Sequence, residues 1–158
     1  MRKISKFLVA ILGCELIGLL STPVTIHAIP TWYASLNKPF FNPPDWIFGP
    51  VWTTLYFLIG IAAYLIWIQE KKKKLVKQAL LYFLIQLFFN FLWSFLFFGL
   101  QSPLLGMIDI LILLIFILIT IIKFSKISKP ATYLMLPYLL WVGFATLLNI
   151  SIVFLNHK

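Results

Sequence analysis

The sequence contains very little charge, and acidic residues are the scarcest of all. Of 158 residues, 11% are charged and only 4 are Asp or Glu, while 62% are hydrophobic. The mean hydropathy is +1.01. A soluble domain of this size needs far more polar surface. The composition therefore excludes an ordinary soluble domain and indicates a protein that lies within a membrane.

Cysteine and histidine are also scarce. The single cysteine, Cys14, excludes an internal disulfide and a cysteine metal cluster. Histidine is the usual proximal ligand of haem iron, but His27 and His157 have no acidic or cysteine companions in the sequence. Glycine-rich phosphate loops, nucleophile elbows and paired catalytic carboxylates are absent. We therefore expect no metal site, no required cofactor and no conventional hydrolase or kinase chemistry.

Five long apolar runs make up most of the chain. Each is close to the roughly 20 residues that a membrane-spanning helix needs. Backbone groups in lipid must bond within their own segment, which favours helices. The sequence therefore predicts an all-α integral membrane bundle, a single domain over residues 1–158, with spans at about residues 7–26, 46–68, 80–100, 104–122 and 131–155.

The basic residues are distributed unequally between the two sides that five spans define. Lys38 and Lys158 are the only ones on the side of the first connector. The other side holds eleven, which are Arg2, Lys3, Lys6, Lys71, Lys72, Lys73, Lys74, Lys77, Lys123, Lys126 and Lys129. Because basic loops stay cytoplasmic, this predicts a cytoplasmic N-terminus and an outside C-terminus. This distribution accounts for the excess of basic residues, so nucleic-acid binding is not needed to explain it.

The connector between the first two spans is rich in proline and tryptophan. Residues 32–52 contain four prolines and three tryptophans. Proline lowers the entropy lost when a loop is fixed, and tryptophan suits membrane interfaces and ligand lids. Two interpretations remain open. The connector is either an ordered cap over a membrane pocket or an aromatic belt that anchors helix ends.

Three spans carry polar and aromatic side chains at helical spacing, so each set shares one face. The second span has Phe48, Trp52 and Tyr56, the third has Gln86, Asn90, Trp93 and Phe97, and the fifth has Tyr138, Trp141, Ala145 and Asn149. Amides in lipid are costly unless bonded, so these faces should point inward. They predict either interhelical packing or a pocket for a large, flat, mostly apolar ligand.

The first span has small residues at every fourth position, which are Ala10, Cys14, Gly18 and Thr22. Such a stripe lets another helix approach closely, within the bundle or in a second subunit. Glu15 and Asp109 are acidic residues inside spans. We expect a structural hydrogen bond for each, because charge at this depth is expensive.

The first connector and the faces described above resemble the tryptophan-rich sensory protein family, TspO, whose mitochondrial members are called the translocator protein or peripheral benzodiazepine receptor. The matching residues begin with Trp32-Tyr33-Ala34-Ser35-Leu36, Lys38-Pro39, Pro43-Pro44, Trp46, Gly49-Pro50-Val51-Trp52 and Leu55-Tyr56. They continue with Gln86, Asn90-Phe91-Leu92-Trp93-Ser94, Phe97-Phe98-Gly99, Asp109, Pro137-Tyr138-Leu139, Trp141, Phe144-Ala145-Thr146 and Leu148-Asn149.

The resemblance implies a five-helix bundle, usually a homodimer, that binds tetrapyrroles such as protoporphyrin IX and synthetic isoquinoline carboxamide or benzodiazepine ligands. The implied pocket residues are Trp52, Gln86, Asn90, Trp93, Trp141 and Ala145, with Trp32 in the lid. The proposed sterol motif of mitochondrial members needs a tyrosine where this chain has Ile150, and a basic residue that is missing before Lys158. This argues against sterol binding and favours a prokaryotic-type role in a bacterial cell membrane.

The sequence thus predicts a membrane receptor for tetrapyrroles, with porphyrin as ligand or substrate rather than cofactor. Some bacterial members of the resembling family promote light-dependent breakdown of protoporphyrin. The indoles of Trp52, Trp93 and Trp141 are the candidate oxidisable partners for such chemistry. Two alternatives stand beside this reading: a transporter that carries porphyrin across the membrane, and a sensory protein that binds without catalysis.

Overall fold

Five long helices form the whole framework of the protein. The computed structural model describes residues 2–157, and the helices are α1 (Lys3–Ala28), α2 (Phe48–Trp67), α3 (Lys73–Ser94), α4 (Pro103–Ser125) and α5 (Lys129–Asn156). Each helix, with its short extensions, is long and apolar enough to cross a membrane. There is no strand within residues 2–157. The predicted all-α membrane bundle is confirmed.

Local sequence signals explain where the later helices begin. Ser102 precedes α4 and its hydroxyl oxygen accepts a hydrogen bond from the Leu105 N–H at 3.3 Å, while Ser128 caps α5 in the same way. Proline follows each cap, where its missing N–H costs nothing. The reversal between α3 and α4 is tight, and Gln101 takes a left-handed φ of 53° there. These features fix α3 and α4 as antiparallel neighbours.

The helices pack in the cyclic order α1, α2, α5, α4, α3, and α1 meets α3 less extensively than it meets α2. Glycines permit the closest approach, which is between α1 and α2. A Cβ on Gly18 would lie 2.7 Å from Cε2 of Tyr56, and one on Gly60 would lie 2.9 Å from Cα of Ile11. The small-residue stripe of α1 therefore packs inside the bundle, against α2.

The first connector is ordered by a set of specific contacts. A π-helical turn, Ile29–Tyr33, extends α1, and the Tyr33 hydroxyl donates to Oδ1 of Asn42 at 2.8 Å. Nζ of Lys38 donates to the Tyr33 carbonyl at 2.7 Å and lies 4.7 Å from the centre of its ring. Asn37 and Asn156 exchange two hydrogen bonds, which attach the connector to the end of α5.

The two ends of the bundle differ in charge. Nζ of Lys72 donates to the carbonyl of Lys126 at 3.0 Å, which joins the second connector to the fourth. Nζ of Lys6 lies 5.9 Å from the centre of the Trp67 ring at the same end. Lys38 is at the opposite end, and Lys158 lies outside the described residues. The chain is therefore an integral membrane protein with one strongly basic end, and its orientation remains a prediction.

Candidate ligand-binding cavity

A cavity of about 430 Å³ lies between α1, α2, α3 and α5, below the start of the first connector. This volume falls within the roughly 300–1,000 Å³ that is usual for small-molecule sites. Aromatic side chains dominate its wall, and they are Tyr33, Trp46, Phe48, Trp52, Tyr56, Trp93, Phe97, Phe98 and Trp141. The cavity therefore offers broad, flat, apolar surfaces of the kind that suit an aromatic ligand.

Six of the residues predicted from the sequence line this cavity, and they are Trp52, Tyr56, Asn90, Trp93, Trp141 and Ala145. The Trp52 indole stacks on the Tyr56 ring, with centroids 5.6 Å apart and planes inclined by 29°. Trp93 stacks on Phe97 at 4.9 Å and 18°. The helical faces of α2, α3 and α5 thus bring three indoles from three helices to one space.

Three other predicted residues lie close to the cavity without lining it. Gln86 and Tyr138 are fully buried behind Asn90. Trp32 packs edge to face on Phe97, with ring centroids 5.4 Å apart, and so supports a lining residue from outside. Contact of these three residues with a ligand stays a prediction, and none of them is among the residues that line the cavity. They form a supporting layer, because each lies one residue shell farther from the cavity.

A row of hydrogen bonds forms the floor of the cavity. The Tyr56 hydroxyl donates to Oδ1 of Asn90, and Nδ2 of Asn90 donates to the Tyr138 hydroxyl at 3.1 Å. That hydroxyl in turn donates to Oε1 of Gln86 at 2.7 Å. Asn90 therefore uses both its oxygen and its nitrogen within the protein. This meets the cost of burying an amide in lipid and fixes α2, α3 and α5 to one another.

A second amide holds one of the three indoles. Nε1 of Trp93 donates to Oδ1 of Asn149 at 3.1 Å, and Nδ2 of Asn149 donates to the Pro103 carbonyl at 2.8 Å. Gly106 makes room for this arrangement, because a Cβ there would lie 3.0 Å from Oδ1 of Asn149. Nε1 of Trp141 is buried and has no hydrogen-bond partner within residues 2–157.

The two acids within the spans have different surroundings. Asp109 is buried, and neither carboxyl oxygen has a hydrogen-bond partner in the described part of the chain, so the bond expected for it is not found. Glu15 is half-buried and lines the cavity from α1.

The pocket residues predicted from the sequence include none from α1, although this helix lines part of the cavity. Beside Glu15, this helix lines the cavity with Gly18, Ser21, Thr22 and Thr25. The sequence did contain a signal for this wall, because Gly18 and Thr22 belong to the small-residue stripe of α1. A stripe of this kind predicts close packing, however, and does not by itself distinguish a helix contact from a cavity wall.

Together, fold and cavity define a five-helix membrane protein with an aromatic site beneath an ordered connector. The TspO/MBR family model matches residues 9–155. The chain is 47% identical to the tryptophan-rich protein TspO of Archaeoglobus fulgidus, over 97% of this chain and 98% of that protein. It is 37% identical to the tryptophan-rich sensory protein of Cereibacter sphaeroides, over 79% and 77% of the two chains. The translocator protein of Ovis aries is 39% identical, over 75% and 70%. The chain belongs to the TspO/MBR family.

Proposed function

We propose that this protein is a membrane receptor whose cavity binds a tetrapyrrole such as protoporphyrin IX. Membership of the TspO/MBR family supports a receptor or sensory role. The observation that carries the choice of ligand is the convergence of the Trp52, Trp93 and Trp141 indoles on one cavity of about 430 Å³. A flat macrocycle gains affinity by stacking on such faces. A macrocycle is also too large for one helix face to bind, so its binding requires side chains from several helices.

A titration in darkness tests this proposal. Protoporphyrin IX added to the purified protein in detergent should shift the porphyrin absorbance and quench tryptophan fluorescence, and both signals should saturate. Ala145→Phe places a ring inside the cavity and should weaken binding by about fivefold to 150-fold, since overpacking costs roughly 1–3 kcal/mol. Leu147→Phe lies on the exposed side of the same helix and is the matched control. Equal binding by both variants would place the porphyrin elsewhere.

A second candidate activity is the light-dependent oxidation of bound porphyrin by dioxygen. The supporting observation is that three oxidisable indoles, with their stacked neighbours Tyr56 and Phe97, surround the space proposed for the ligand. Illumination of the complex in air should then consume porphyrin faster than illumination of porphyrin in detergent alone. Removal of dioxygen should abolish the difference. Saturable porphyrin flux into vesicles in darkness would instead favour a transporter.

A further inference from the structure

The charges that face the cavity are all of one sign. Glu15 lines it from the middle of α1 and Asp45 lines it near the connector, whereas no lysine, arginine or histidine is among the lining residues in the described part of the chain. Two like charges without a cation make a wall that repels anions, and more strongly where water is excluded. A ligand carboxylate placed against α1 would therefore meet no compensating charge.

The hydroxyl groups of the α1 wall cannot compensate for the missing cation. Ser21, Thr22 and Thr25 each donate to a carbonyl oxygen one turn earlier in α1, at 2.9, 2.8 and 3.0 Å. Thr53 donates to the carbonyl of Gly49 at 3.0 Å, and Tyr56 donates to Asn90. A hydroxyl whose proton is already committed can offer a ligand only its lone pairs. These five groups therefore act as acceptors toward the cavity.

Two nitrogen donors near the cavity are also occupied. The Trp93 N–H is bonded to Asn149, and the Asn90 amide nitrogen is bonded to Tyr138. Nε1 of Trp141 is a buried donor without a partner in the described part of the chain, but it belongs to α5 and not to the α1 wall. On α1, Pro23 has no N–H to give to the carbonyl of Leu19, one turn after Glu15. The α1 wall of the cavity is thus rich in acceptors and poor in donors.

We propose that Glu15 is a specificity-determining residue of this cavity, which favours flat ligands that bring a cationic or N–H donor group to the α1 wall and disfavours ligands that bring a carboxylate there. This proposal rests on the function proposed above and names its preferred ligand chemistry. The propionate groups of a tetrapyrrole would then remain in water outside the cavity, whereas ammonium groups carried on the same side chains would turn toward the α1 wall. The donor then pairs with the Glu15 carboxyl group, which is half-buried and faces the cavity.

Three porphyrin probes that share the same macrocycle test the proposal. They are protoporphyrin IX, its neutral dimethyl ester, and its diamide with ethylenediamine, which ends in two ammonium groups. We expect the protein to bind the ammonium probe about tenfold more tightly than the dicarboxylate, since hydrogen bonds to charged groups are worth roughly tenfold or more in affinity. Glu15→Gln keeps the shape of the side chain, removes the charge, and should erase most of that preference.

Two control variants test whether the position of the negative charge matters, and not only the total charge of the protein. Glu70→Gln removes the same charge from the connector between α2 and α3, away from the cavity, and should leave the preference intact. Asp45→Asn removes the other lining acid, and its effect should be the smaller one because Asp45 is exposed. An unchanged preference in Glu15→Gln overturns the proposal, as does an equal effect of Glu70→Gln. Failure of the neutral ester to bind the parent protein overturns the receptor function itself.

Discussion

The side chain of Asn156 forms hydrogen bonds with both the backbone N–H and the backbone carbonyl of Asn37, although the two residues are 119 positions apart. Its Oδ1 accepts the Asn37 N–H at 2.9 Å, and its Nδ2 donates to the Asn37 carbonyl at 2.9 Å. The pair thus joins the first connector to the last turn of α5. Because both hydrogen bonds can form only when the Asn37 backbone has one orientation, the pair fixes the connector above the cavity.

Removing this pair should loosen the connector without unfolding the bundle. Asn156→Ala deletes both bonds, which together are worth about 1–2 kcal/mol at most, because the site is exposed and water replaces them. Hydrogen exchange at the Asn37 amide should accelerate, and a protease should cut the connector sooner. Asn156→Asp retains the acceptor for the Asn37 N–H and should protect that amide better than alanine does. Equal exchange rates in all three proteins would mean that the connector is held by its other contacts.

The contact between Gly18 and Tyr56 should make α1 sensitive to a single added methyl group. In Gly18→Ala the new Cβ would approach the Tyr56 ring to 2.7 and 2.9 Å, so the helices must separate. Overpacking of this kind costs about 1–3 kcal/mol, and the thermal midpoint in detergent should fall. Gly13→Ala is the control, since nothing lies within 4 Å of its Cβ. A gain of up to about 1 kcal/mol in helix propensity is expected there, so a fall in both variants would contradict this explanation.

Replacement of single indoles should separate ligand binding from photochemistry. Trp52→Phe, Trp93→Phe and Trp141→Phe each keep an aromatic ring and remove the indole. Porphyrin affinity should fall by only about 0.5–1.5 kcal/mol, the usual value of an aromatic pair beyond burial. Light-dependent loss of porphyrin, measured by absorbance, should fall much further than affinity does.

Trp67→Phe provides the control for these variants, because Trp67 lies at the basic end and does not line the cavity. It should change neither quantity. If the three cavity variants bind and degrade porphyrin as the parent protein does, the indoles serve packing alone, and the proposed oxidation site has to be abandoned.

The charge difference between the ends of the bundle predicts the orientation of the protein. Cysteines introduced at Ser35 and Lys73, which are exposed at opposite ends, should react with an impermeant maleimide from opposite faces of the membrane. Ser35 should react from outside, because basic connectors stay cytoplasmic. Cys14→Ala supplies the background, because it removes the only cysteine of the sequence. Labelling of Lys73 from outside would reverse the orientation.

Much of the cavity could be predicted from helical spacing alone. The period of 3.6 residues places Asn90, Trp93 and Phe97 on one face of α3, and all three line the cavity. The same period places Gln86 on that face as well. Periodicity gives the direction of a side chain but not its depth along the bundle. Gln86 lies one turn below Asn90, where Tyr138 of α5 already fills the space.

The α1 wall could not be predicted in the same way. Its residues are small or hydroxylated, and their hydroxyl protons return to the backbone of their own helix, as Thr22 does to Gly18. Such residues look alike in sequence whether they face a cavity or a packed helix. The distinction is made by the size of the neighbours, here Tyr56, whose ring occupies the space beside Gly18, while Ser21 and Thr25 farther along α1 line the cavity.

The row of hydrogen bonds beneath the cavity also determines how protons behave there. The two hydroxyls of Tyr56 and Tyr138 are separated by the amide of Asn90, and the row ends on the amide of Gln86. An amide nitrogen donates hydrogen bonds but does not release its proton in this setting. The two hydroxyls are therefore not in direct contact along this row, and the floor joins the helices without forming a continuous chain of hydroxyls from the cavity to the interior of the bundle.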